Sequence, residues 1–232
     1  MKRLLLLALT FFFVSAEAQQ ELRETFRPVF TGGVVASQVD GDTYAGYNKL
    51  GYFAGIGINR LVSKNLELEF DLTLLQKGAR KNYAHDSASL NNPNNQFYLL
   101  RLNYLEIPFY VRYNFKKAKV NKFKVEAGGS VGYLIKNPPY ENSQNGYTNI
   151  YGFNNFDYSF LFGLGYKLNA NVLVNLRYEY SALAIRRYYQ SSAGIYHGQF
   201  PYNLFNLGMY NNLLSLTISY KLPALPPSSN GQ

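Results

Sequence analysis

The chain has 232 residues, 23 Lys and Arg against 14 Asp and Glu for a net charge of +9, and no cysteine, which excludes disulfides, thiol catalysis and zinc–thiolate or iron–sulfur sites. Mean hydropathy is −0.21, and no stretch reaches the ~20 apolar residues of a membrane helix, so a helical membrane protein is excluded. A chain with 22 Tyr and 17 Phe but no Trp still suits a surface lying partly in lipid and partly among headgroups.

Residues 1–18 read as a secretory signal peptide. Lys2 and Arg3 are the positive start, Leu4 to Val14 the apolar core, and Ala16-Glu17-Ala18 the small-residue cleavage pattern, with the cut between Ala18 and Gln19. Loss of Lys2, Arg3 and Glu17 lowers the charge to +8. A basic exported protein meets anionic lipid or lipopolysaccharide phosphate rather than nucleic acid. Residues 19–25 form a short periplasmic segment, 26–222 the barrel domain described next, and 223–232 an expected disordered tail.

Eight segments with period-two alternation follow, at roughly 26–39, 46–60, 66–78, 96–115, 122–136, 155–168, 171–186 and 207–221. Leu66 to Leu74 places apolar residues at even positions and Glu67, Glu69, Asp71 and Thr73 at odd ones; Val172 to Tyr180 and Leu214 to Tyr220 repeat the pattern. Most segments reach the ~9–11 residues of a tilted membrane strand, beyond the ~5–6 usual in soluble sheets. Connections at 61–65, 116–121 and 168–171 are short, whereas 79–95, 137–154 and 187–206 are long and rich in Asn, Ser, Gly and Tyr. Short periplasmic turns against longer outer loops are the pattern of outer-membrane barrels. The expected fold is therefore all-β: an eight-stranded antiparallel up-and-down transmembrane β-barrel with both termini in the periplasm. Tyr52, Ala54, Ile56, Ile58, Phe123, Val125, Val131, Tyr133, Phe160, Phe162, Leu164 and Tyr166 should face lipid. Gly51, Gly55, Gly57, Asn59, Gly128, Ser130, Gly132, Ser159, Gly163 and Gly165 should face inward. A lipocalin-like soluble barrel would invert this assignment.

The fourth segment changes parity. Arg101 and Asn103 are polar at odd positions, Arg112 and Asn114 at even ones, so a β-bulge is expected at Glu106-Ile107-Pro108, where proline removes a ladder donor.

Two motifs carry a resemblance. Ser37-Gln38-Val39-Asp40-Gly41-Asp42 with Gly46-Tyr47-Asn48-Lys49-Leu50-Gly51 resembles the first hairpin of the PorT-like outer-membrane β-barrel family, and Leu102-Asn103-Tyr104-Leu105-Glu106-Ile107-Pro108 resembles its mid-barrel signature. The likeness covers roughly residues 26–221. It implies an eight-stranded porin-like barrel in a Gram-negative outer membrane. The founding member is associated with type IX secretion. The tail after Pro223 departs from barrels that end on an aromatic residue.

An inward charge set is expected from parity: Glu67, Glu69, Asp71, Arg101, Arg112, Lys124, Glu126, Arg177 and Glu179. Eight strands leave an interior that side chains fill, so these charges should pair as a plug. The alternative is a narrow ion or small-solute channel gated by rearranging the pairs. Tyrosines near both rims suggest interfacial girdles, or an adhesive outer surface. Lys116, Lys117, Lys119, Lys122 and Lys124 crowd one periplasmic turn; Arg80, Lys81, Arg186 and Arg187 sit where outer-leaflet lipopolysaccharide phosphates would lie. A lipid-modifying or proteolytic enzyme would need a dyad such as His85-Asp86 or His197 in the outer loops, and Asp40-Gly41-Asp42 lacks the rest of a calcium loop. The expectation is a non-enzymatic envelope component without cofactor or metal. Its partners would be outer-membrane lipid, lipopolysaccharide and another envelope or secretion protein.

Overall fold

A computed structural model describes residues 26–42, 46–81, 99–115, 122–135, 152–187 and 208–223. The signal peptide with its Ala18–Gln19 junction, residues 19–25, most of the tail, both histidines and much of the long loops lie outside them.

The alternating segments form long strands: β1 (Arg27–Asp40), β2 (Lys49–Leu61), β3 (Leu66–Arg80), β4 (Leu99–Asn114), β5 (Phe123–Ile135), β6 (Phe156–Lys167), β7 (Val172–Ser181) and β9 (Gly208–Lys221), with a two-residue β8 (Arg186–Arg187). Each long strand pairs antiparallel with the next, and β1 pairs with β9 from Val29↔Lys221 to Asp40↔Tyr210, closing an eight-stranded barrel. The seventh segment is split. Residues 182–185 leave the ladder after Ser181, and the chain returns to β9 at Arg186↔Met209. Ala182 N–H donates to Tyr158 O (2.6 Å) and Ile185 N–H to Met209 O (2.8 Å), so the detour stays tied to the wall.

Alternation decides which face meets lipid. On β6, Phe156, Tyr158, Phe160, Phe162 and Leu164 are exposed while Asp157, Ser159 and Leu161 are buried. On β9, Ile218 is 57% exposed and its neighbour Thr217 0%. An exposed row of this kind on every long strand is a cost in water and a match to acyl chains. A 13-residue strand is about 43 Å long and, tilted by about 40°, rises about 33 Å, enough for an apolar band of about 25 Å. Aromatic pairs edge the band at both ends: Tyr133–Phe156 (5.5 Å) and Tyr180–Tyr210 (6.0 Å) toward the long loops, Tyr113–Phe115 (5.3 Å) and Phe123–Tyr166 (5.1 Å) toward the short turns.

The expected bulge at Glu106-Ile107-Pro108 is absent. β3–β4 keeps one register from Leu66↔Tyr113 to Arg80↔Leu99, and β4–β5 runs unbroken from Asn103↔Ile135 to Asn114↔Lys124. Pro108 removes only the pairings opposite Asp71 and Leu72, since it has no N–H to give β3. β4 therefore keeps one parity throughout, with Leu100, Leu102, Tyr104, Glu106, Pro108, Tyr110 and Arg112 buried. Arg101 is consequently exposed on the outer surface and not in the lumen. Near the extracellular end of a strand the surroundings are headgroups rather than acyl chains, so a polar side chain there can point outward, and polarity stops reporting direction.

Candidate functional site

The interior is built from three layers. Nearest the periplasm, Glu67 (β3) receives Lys124 Nζ (β5) and Lys221 Nζ (β9), each at 2.7 Å, and amide donors from Asn59 (3.3 Å) and Asn114 (3.0 Å). Above it, Arg112 (β4) pairs with Glu69 and, through Nε, with Glu126 at 2.7 Å; Arg177 (β7) takes the other Glu126 oxygen at 2.6 Å. Both guanidiniums lie over the Tyr110 ring, at 5.2 Å for Arg112 and 4.1 Å for Arg177. Planar cations stacked on an aromatic face retain attraction where water is absent. Asp71 is buried in the same layer.

The second layer centres on Lys77 (β3). Its ammonium meets Glu106 (β4) and Asp157 (β6), each at 3.0 Å, together with Glu179 (β7), and lies 5.0 Å from the centre of the Tyr104 ring. Ser181 Oγ (2.7 Å) and Asn211 Nδ2 (2.8 Å) donate to Asp157. The first layer holds four carboxylates (Glu67, Glu69, Asp71, Glu126) against four cations (Arg112, Lys124, Arg177, Lys221); the second holds three against one. Two neutral hydrogen-bond donors on Asp157 offset part of that excess.

Toward the extracellular end the filling turns apolar. Val35, Val39, Phe53, Leu75, Leu100, Leu102, Leu134, Ile185, Met209 and Leu213 form one buried cluster, with Phe153 packed against it. The inward residues expected from the sequence are small, polar or charged, and this apolar cap lies beyond them.

Glycines in the wall make room for the filling. A Cβ at Gly57 would strike the Asp71 carboxylate and lie 2.5 Å from Phe70 O, and one at Gly163 would lie 2.6 Å from Glu126 Oε1. The inward glycine on β6 leaves room for the Glu126 carboxylate that reaches Arg112 and Arg177, and the one on β2 leaves room for the buried Asp71 carboxylate of β3.

Of the expected inward charges, Glu67, Glu69, Asp71, Arg112, Lys124, Glu126 and Arg177 converge in the first layer, Glu179 joins the second, and Arg101 is on the outer surface. Sequence reasoning missed Lys77, Asp157 and Lys221 as luminal charges and read Glu106 as a bulge residue. The signal was available: Lys77 continues the odd parity of Glu67, Glu69 and Asp71, Asp157 shares the parity of Ser159, and Lys221 that of Ser219.

The first resemblance motif lies at the extracellular rim. Gln38 Nε2 donates to Asp40 Oδ1 (2.8 Å), Gly46 N–H donates to Gln38 Oε1 (2.8 Å), and Asn212 joins Asp40 (3.0 Å) to the Tyr47 hydroxyl (2.6 Å). Gly41 and Gly46 have φ of 92° and 98°, the left-handed region that a tight turn needs. The second motif supplies Tyr104 and Glu106 to the Lys77 layer. Among the described residues no group of His, Cys, Asp and Glu is arranged to hold a metal ion.

Residues 17–184 match the family model of the outer membrane protein beta-barrel domain. No curated protein matches the chain. Solved structures with a similar course include Ail, the attachment invasion locus protein of Yersinia pestis (10% identity, TM-score 0.44, 85% of this chain and 99% of that one). Neisserial surface protein A (13%, 0.41, 85% and 96%) and OprG of Pseudomonas aeruginosa (11%, 0.39, 86% and 97%) also match. At these TM-scores the likenesses say nothing about role.

Proposed function

Because the chain belongs to the outer membrane protein beta-barrel domain family, we propose that it is a non-enzymatic outer-membrane barrel with a sealed lumen, acting as a structural or interaction component of the cell envelope. The observation that carries this reading is the filling of the barrel: two ion-pair layers drawing on six strands, and an apolar cap over them. A solute crossing the barrel would have to break buried pairs, each costing about 3–5 kcal/mol to leave uncompensated, and then dewet through the cap. Open channels belong to wider barrels of ~16–18 strands.

With the lumen closed, contacts fall to the outer loops, the lipid-facing wall and the periplasmic turns. The resemblance to PorT-like barrels gives the partner class to seek, a component of a protein-secretion apparatus, and the exported basic chain fits lipopolysaccharide phosphate as its lipid neighbour. Cleavage of the signal peptide between Ala18 and Gln19 belongs to the same reading.

Planar-bilayer recording on the refolded barrel tests it. The expected record is a flat baseline for the wild type. Steady unitary conductance altered by Glu126→Ala or Arg177→Ala would replace the sealed barrel with a narrow channel. Cross-linking in outer membranes, followed by identification of the captured proteins, tests the secretion partner: reproducible capture of a secretion component supports it, and its absence under efficient cross-linking rejects it.

A further inference from the structure

The periplasmic mouth contains a small polar cavity of about 50 Å³ whose lining carries four cations and a single carboxylate. We propose that it is a binding site for one phosphate group presented from the periplasmic side.

Lys124 and Lys221 set the floor. Both are more than nine-tenths buried, and each spends one N–H on Glu67. An ammonium has three N–H groups, so each has donors left over. Glu67 cannot take them, because four donors already occupy its two oxygens: Lys124 and Asn114 on Oε1, Lys221 and Asn59 on Oε2. The carboxylate is thereby shielded from a second anion, while among the described residues the one further carboxylate near these ammoniums is Glu69, whose Oε2 lies 3.7 Å from Lys221 Nζ and beyond hydrogen-bond distance. Lys167 and Arg27 complete the rim, with Arg27 held by Leu222 O (2.9 Å) and Asn171 Oδ1 (3.0 Å). Net charge over the lining is +3, four cations against Glu67. Buried donors in excess from β5 and β9, with the exposed Lys167 of β6 at the rim, converge on a space of this size and fit a compact acceptor with several oxygens and negative charge. Free phosphate and a phospholipid headgroup from the inner leaflet of the outer membrane both have that chemistry.

The experiment uses the full mature barrel folded in an alkyl maltoside, whose headgroup carries no phosphate, and measures equilibrium binding of inorganic phosphate and, separately, of a short-chain phospholipid. Saturable binding at one site per barrel is expected for at least one of them, weakened tenfold or more by Lys167→Glu. Lys167 takes no part in the luminal ion pairs, so this variant should keep wild-type heat-modifiability on gels. Lys64→Glu makes the same charge change in the β2–β3 turn, away from the cavity, and should leave affinity unchanged within twofold. Binding of phosphate identifies a free-anion site; binding of the phospholipid alone identifies a headgroup site. No saturable binding of either, or equal weakening by both substitutions, overturns the proposal.

Discussion

Glu126 joins the two guanidiniums of the first layer, and Lys77 is the one cation shared by the three carboxylates of the second. Buried ions of this kind add little net stability over an apolar filling, but removing one partner strands the others in a water-poor interior. Lys77→Met and Glu126→Ala should each destabilise the barrel by about 3–5 kcal/mol, read as a shift of the urea unfolding midpoint in lipid vesicles. Arg101→Ala, on the outer surface, should fall within about 0.5 kcal/mol of wild type. A loss at Arg101 as large as at Lys77 would return that side chain to the lumen. Parity identified most of the cluster because charge in the middle of a strand cannot face acyl chains. It failed at Arg101, beyond the apolar band, where either direction is tolerated.

At the level of the strand, β2 and β4 carry the instructive cases. β2 turns Gly51, Gly55 and Gly57 inward, and Gly57 lies against Asp71 and the Phe70 carbonyl. Gly57→Ala should cost about 1–3 kcal/mol by overpacking, whereas Gly32→Ala, whose added methyl meets nothing within 4 Å, should be neutral; both are read from the same unfolding curves. On the opposite face, Phe162→Arg puts a cation among acyl chains and should cost about 2–4 kcal/mol. Strand number and the facing of the strand middles were legible because period two holds over much of each long strand, 10 to 16 residues in length. The supposed bulge in β4 came from treating polarity as direction. Without an extra residue the same letters fit one parity, with Tyr104 and Glu106 facing inward and Arg101 and Asn103 at the outer headgroup level. The split of the seventh segment at 182–185 had no sequence signal, since Ala-Leu-Ala alternates as poorly in a strand as in a detour.

Over the whole molecule, the two ion layers and the cap divide one lumen into a polar, cationic periplasmic mouth and a largely apolar extracellular end. The apolar cap was not legible because inward Val, Leu and Phe near a strand end look like lipid-facing residues of shifted register; only closure of the barrel places Val39, Leu102 and Leu213 against one another. Everything in the functional reading rests on apolar side chains facing out and charged ones facing in. Because the chain has no cysteine, single cysteines can carry nitroxide labels at 158 to 164 on β6 without background. Electron paramagnetic resonance in vesicles should then show collisions with membrane-dissolved oxygen at 158, 160, 162 and 164 and immobilised, collision-poor labels at 159, 161 and 163. Labels at the even positions that instead collide with a water-soluble nickel complex would contradict the orientation of the barrel.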